Sequence, residues 1–300
     1  MYKRLLVPLD GSKLAENVLP YARAFAGAFD LQVELLSVID SMDFARTMNA
    51  GHVRDFDPLI AAATQEGKRY LEGIAPSFGG KVSTTVERGV ADKIIIEKAG
   101  GDKDTLIAMA TRGRSGIHRW LMGSVAEKVL RGATNPLLLV RGDEEGKSDG
   151  KAAPKKVVVP LDGSPMAETV LPYAVDLAQR LGLAIELARV YDVPLTSYTG
   201  VDAPYIPNQS KLRDRVREEA GAYLEAKVNQ LHADGVDKVS SVLLVGSGAD
   251  EIIDLAHSTP DNLIAMCTHG RSGVRRWALG SVTEKVVRHS GDPVLIVRAE

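Results

Sequence analysis

Apolar residues along the 300-residue chain fall into two kinds of run, and the same succession of runs occurs twice. Short, uninterrupted apolar stretches such as residues 106–109 and 137–140 suit parallel strands covered on both faces. Residues 3–10 and 156–162 read as first strands, each closing on Pro-Leu-Asp before a Gly-Ser pair. A helix follows, with Leu14, Val18, Leu19, Ala22, Phe25 and Ala26 on one broad face. Pro20 and its counterpart Pro172 predict a kink or an N-terminal break in that helix. Second strands are expected at 32–39 and 184–191, then polar loops at 40–58 and 192–209 on the ligand-facing side. Long charged helices follow at 59–74 and 210–233, and third strands at 83–88 and 240–246. Short helices at 91–99 and 249–257 lead into the most repetitive part of the chain.

That part is residues 105–141, which recur as 262–298 with 22 of 37 positions identical. Each copy reads as strand, Gly- and Arg-bearing loop, short helix and strand. The halves are offset by 152 residues at Asp10 and Asp162 and by 157 at Gly89 and Gly246, so the length difference falls between the second and third strands. Each half therefore alternates strand and helix, which predicts an α/β fold with a parallel sheet wrapped by helices. The domains are expected at 1–142 and 155–300, joined by a polar Gly- and Lys-rich linker at 143–154.

Composition narrows the partners. A formal net charge of −2 favours neither nucleic acid nor an anionic membrane. No apolar run reaches the roughly 18 residues of a membrane helix. The single cysteine, Cys267, excludes an internal disulfide and fits a reducing compartment, so a cytoplasmic location is expected. The run Gly142 to Ser148 is one residue short of a P-loop and enters the linker rather than a helix, so it is rejected. No metal-binding spacing, Gly-x-Ser-x-Gly elbow or catalytic triad is legible, and no metal site or catalytic residue is assigned.

The loops are more informative. Gly113 and Gly123 stand with nine residues between them and Ser124 after them, and Gly270, Gly280 and Ser281 repeat the arrangement. Such glycines suit backbone N–H groups approaching an anion, or a positive φ, at a helix N-terminus. The alternative is structural: Ser124 with Glu127, and Ser281 with Glu284, have the Ser-x-x-Glu form of a capping box. Asp10 and Asp162 likewise read either as ligand contacts at a strand end or as helix caps. Arg112, Arg114, His118 and Arg119, with Arg271, Arg275 and Arg276, make both loops basic. Trp120 and Trp277 are expected to pack them down.

Taken together, Pro-Leu-Asp-Gly-Ser, Met-Ala-Thr-Arg-Gly-Arg-Ser-Gly and Gly-Ser-Val-Ala-Glu-Lys-Val resemble the universal stress protein family, twice over the whole chain. The resemblance implies two tandem Rossmann-like (adenine nucleotide alpha hydrolase-like) domains, each a five-stranded parallel sheet of order 3-2-1-4-5. It is to the family's ATP-binding branch, whose Gly-x-x-Gly, nine residues, Gly-Ser/Thr signature falls here on Gly113 and Gly123, and on Gly270 and Gly280. Its first glycine is replaced by Ala110 and by Cys267. The resemblance implies nucleoside contacts from Asp10 and Asp162, with Pro8 and Pro160 also in the binding set. It implies an adenine pocket of Val38, Met109, Val190 and Met266, and phosphate contacts from Ser124, Val125, Ser281 and Val282. The ligand expected is ATP (or AMP or ADP), with or without Mg²⁺. Both halves are expected to bind, the first more tightly, without significant catalysis, in a stress-response role. The alternatives are a slow Mg-dependent ATPase or phosphotransferase and a nucleotide-free interaction module. The apolar fifth strands, 136–141 and 293–298, are expected to pair with each other so that the chain forms an intramolecular pseudo-dimer, with room for further homodimerisation. The sequence names no protein partner.

Overall fold

The apolar runs of the first half become five parallel strands in a computed structural model that describes residues 2–40, 57–111, 122–141, 154–192, 209–259, 261–268 and 279–298. They are β1 (Arg4–Pro8), β2 (Gln32–Ile39), β3 (Val82–Arg88), β4 (Thr105–Ala110) and β5 (Leu137–Val140). Their order is β3-β2-β1-β4-β5, the 3-2-1-4-5 arrangement implied by the resemblance. All residues of β4 and β5 are buried, as uninterrupted apolar runs require. Each fully buried Leu, Ile or Val contributes roughly 1.5–3 kcal/mol relative to exposure.

The helices are α1 (Lys13–Glu16), α2 (Leu19–Phe29), α3 (Asp57–Ile74), α4 (Ala91–Gly100) and α5 (Ser124–Gly132), with a 3-10 turn at Ala75–Phe78 that the pattern does not predict. The expected break at Pro20 is present, and Pro20 occupies the first turn of α2, where its missing N–H costs nothing. The second half repeats the plan with β6 (Lys156–Pro160), α6 (Pro165–Glu168), α7 (Leu171–Leu181), β7 (Ala184–Tyr191) and α8 (Gln209–Ala233). It continues with β8 (Val239–Val245), α9 (Gly248–Ser258), β9 (Asn262–Cys267), α10 (Ser281–His289) and β10 (Val294–Val297). The first strands are shorter than expected, because Pro8 and Pro160 end them two residues before the aspartates.

The chain forms two compact units. The second contains β8-β7-β6-β9, all parallel where paired. The first contains β1–β5 together with β10, which pairs antiparallel with β5. The register is Leu139↔Val294, Leu138↔Leu295 and Leu137↔Ile296, and Leu138 and Leu295 are fully buried. The expected pairing of the two fifth strands is therefore observed. It covers the apolar edge that β5 would otherwise present.

Inside the first unit, Glu34 of β2 takes ion pairs from Arg4 and from Lys98, the latter at 3.3 Å, and Lys98 also reaches Glu87 at 3.1 Å. Burial acts to raise the Glu34 carboxyl, but hydrogen bonds from Thr85 and Arg4 and the charges of Arg4 and Lys98 hold it below the ordinary range. The counterpart Glu186 is held by Lys156 at 3.1 Å. Among the described residues no helix is long and apolar enough to cross a membrane.

Candidate functional site

Three strand ends of the first unit open into a cleft of about 490 Å³. β1 lies between β2 and β4, and the chain winds away from β1 in opposite senses to reach them. Such a reversal leaves a crevice at the carboxyl ends of the strands, where open α/β sheets take ligands. Past Pro8, the Leu9 N–H still donates to the Leu36 carbonyl at 2.8 Å. The chain then turns. Asp10 Oδ1 accepts from the Ser12 N–H at 2.9 Å and from the Ser12 hydroxyl at 2.6 Å, and Ser12 Oγ accepts from the Ala15 N–H at 3.1 Å. Gly11 takes φ 80° between them, a left-handed conformation that side chains disfavour. The helix cap is thus Ser12, and Asp10 orients it while lining the cleft.

The facing wall is the start of α5, and here the capping-box alternative does not hold. The N-cap is Gly123, at φ −63° and ψ 146°, and Ser124 is the first helical residue, exposed to solvent. A glycine has no side chain with which to satisfy the first-turn N–H groups. Its own N–H donates to the Thr111 carbonyl at 2.7 Å, clamping the helix to the end of β4. This φ is open to any residue, so positive φ is not what glycine supplies here. What it supplies is the absence of a side chain where the helix meets the cleft. Gly280 repeats this at φ −62°, its N–H 2.9 Å from the Thr268 carbonyl, so Ser281 is not a cap either.

Pro8, Asp10, Val38, Met109, Gly123, Ser124 and Val125 all line this one cleft. Gly113 and Gly270 lie outside the described residues, with the basic and tryptophan positions of both loops and most of loops 40–58 and 192–209. In the second unit the counterparts stand at the matching strand and helix ends. Pro160 ends β6, and Asp162 Oδ1 accepts from the Ser164 N–H and hydroxyl at 2.9 and 2.7 Å. Val190 is in β7, Met266 in β9, and Ser281 and Val282 open α10. Ala110, on the family's glycine position, lines the first cleft, while Cys267 is buried and its Sγ accepts from the Thr169 hydroxyl at 3.4 Å.

Ser37, Tyr70, Asp92 and Lys128 are among the cleft residues that the sequence pattern did not single out. Tyr70 donates to Glu16 at 3.4 Å, and Lys128 pairs with Asp92 at 3.3 Å. Both contacts recur, as Tyr223 to Glu168 at 2.7 Å and Lys285 with Asp250 at 2.6 Å. The signal was available, because Tyr-Leu-Glu recurs at 70–72 and 223–225, and Ala-Asp at 91–92 and 249–250. Burial, and next the Glu168 carboxylate, push the Tyr223 phenol well above its ordinary range. Among the described residues, no group of three or more His, Cys, Asp or Glu side chains could hold a metal ion.

Comparison with known proteins agrees with this anatomy. The model of the universal stress protein family matches residues 1–141 and again 154–298. A universal stress protein of Mycolicibacterium smegmatis is 22% identical over 98% of this chain and 96% of its own. The universal stress protein MJ0531 of Methanocaldococcus jannaschii is 33% identical over 47% of this chain and 83% of its own. The crystal structure of a universal stress protein from Archaeoglobus fulgidus has the same fold, with a TM-score of 0.70 over 98% of both chains at 22% identity. The chain belongs to the universal stress protein family, with two copies of the family's domain in tandem.

Proposed function

We propose that the protein binds adenine nucleotide in the first-half cleft and acts as a regulatory module of the stress response, without significant turnover. The observation that carries this reading is the convergence on one cleft of Pro8, Asp10, Val38, Met109, Gly123, Ser124 and Val125. The volume of about 490 Å³ is of the order that small-molecule sites require, roughly 300–1,000 Å³. Val38 and Met109 give the apolar surface an adenine ring needs. The first-turn N–H groups of α5 and the partial positive charge of its N-terminus suit phosphate, and Lys128 adds a cation at the rim. A Mg²⁺ ion, where present, would arrive on the phosphates, because it keeps much of its water and binds chiefly through substrate oxygens. The buried free thiol of Cys267 supports a cytoplasmic setting.

Calorimetric titration with ATP, ADP and AMP, before and after Gly123→Val, tests the reading. The backbone at Gly123 accepts valine, so circular dichroism should show the fold intact while the added side chain fills the phosphate end. Affinity in the first half should fall at least about a hundredfold. Undiminished binding by folded Gly123→Val, or no binding by the unaltered protein, would overturn it. Rapid release of ADP from ATP would instead favour a slow ATPase.

A further inference from the structure

We infer that Arg189 closes the nucleoside end of the second half's site, so that tight nucleotide binding is confined to the first half. The inference rests on the reading that the first-half cleft binds adenine nucleotide. Ser37 and Arg189 are the sixth residues of the equivalent strands β2 and β7. Ser37 is short and lines the first cleft together with Gly11 and Tyr70. In the second half the counterparts of those two, Gly163 and Tyr223, hold the Arg189 guanidinium between them. Its terminal nitrogens lie 3.0 Å from the point where a Cβ on Gly163 would stand, and its carbon lies 4.6 Å from the centre of the Tyr223 ring. That is a close cation–π contact on one face and backbone on the other.

The ring does not yield readily. Tyr223 donates to Glu168 at 2.7 Å, and Lys227 holds the other carboxylate oxygen at 2.7 Å. The arginine head therefore fills space that in the first half belongs to the cleft. Ala220, 1% exposed, stands where the first half has the cleft residue Gly67 and narrows that side further.

The charge does not serve a nucleotide's phosphates, because it stands at the other end. The phosphate donors expected on α10 follow β9, and β6 separates β9 from β7. Two strand spacings are about 10 Å. At that end the guanidinium occupies the space that a ribose and base would need, and opening it means breaking the contact with the Tyr223 ring.

The test counts ATP bound per chain, by calorimetry on the full-length protein, for the unaltered protein, Arg189→Ser, and Arg189→Ser with Gly123→Val. Serine reproduces the first half's residue, and circular dichroism checks each fold. The unaltered protein should show one tight site, with any second at least about tenfold weaker. Arg189→Ser should show two, and the double variant should retain the new one. Two equal sites in the unaltered protein overturn the inference while leaving the proposed function standing. So does a folded Arg189→Ser protein that binds only once, or whose second site weakens. Binding to neither half overturns the proposed function and this inference with it.

Discussion

The two halves share strand plan, the serine caps of α1 and α6 and the loop anchors at Gly123 and Gly280. Beside the cleft they differ at the sixth residue of β2 and β7 and at Gly67 against Ala220. Asp10 and Asp162 make the same two hydrogen bonds to the following serine, and Gly123 and Gly280 hold the same backbone conformation. Ser37 in the first half lines the open cleft, whereas Arg189 in the second lies against Gly163 and the Tyr223 ring. The comparison teaches that a duplicated strand-and-helix frame can keep its backbone geometry while one side chain fills space that is open in the other copy. The backbone donors belong to helix and turn geometry, so they persist. The side chain at that strand position meets the Tyr223 ring and the backbone of Gly163.

Two substitutions sharpen the comparison, beginning with the larger effect. Asp10→Ala and Asp162→Ala each remove the acceptor that orients a helix-capping serine, and each should cost about 1 kcal/mol of stability in urea titration. Only Asp10→Ala should also weaken ATP binding, by about tenfold, because only the first half carries the tight site. Equal losses of affinity in the two variants would break the distinction between the halves.

A smaller contrast lies in the sheet. The folded-state pKa of the Glu34 carboxyl is lowered, so its contribution is present above the unfolded value of about 4.3 and is lost as pH falls through the folded value. Glu34→Gln should therefore cost about 1 kcal/mol at pH 7 and progressively less in acid, as pH falls through the lowered folded-state value. Glu186→Gln, which gives up the ion pair with Lys156, should cost less at pH 7. Urea midpoints at pH 7 and in acid check the pair, and a Glu34→Gln deficit that persisted undiminished in acid would refute the electrostatic explanation.

The strands were the most legible part of the fold. β2 and β7 occupy the expected residues, because their apolar positions recur between polar ones and Asp40 and Asp192 follow at once. The break before α2 was legible in Pro20, since its ring constrains the preceding turn. The candidate site was legible as far as strand ends and glycines show it. The caps were misplaced by one residue: Ser-x-x-Glu has the form of a capping box, but the Gly123–Thr111 hydrogen bond sets where α5 begins. Arg189 could not be assigned at all. Its role depends on Tyr223, 34 positions away on another element, and no local pattern encodes a ring meeting a guanidinium across that distance.

The central claim is that the first-half cleft holds adenine nucleotide, and a crystal structure of the full chain grown with ATP tests it most directly. The account predicts the base against Val38 and Met109, the phosphates at the N–H groups opening α5, and Arg189 still seated on Tyr223 in the second half. A nucleotide bound elsewhere in the first half, or found in the second half with the first empty, would contradict it.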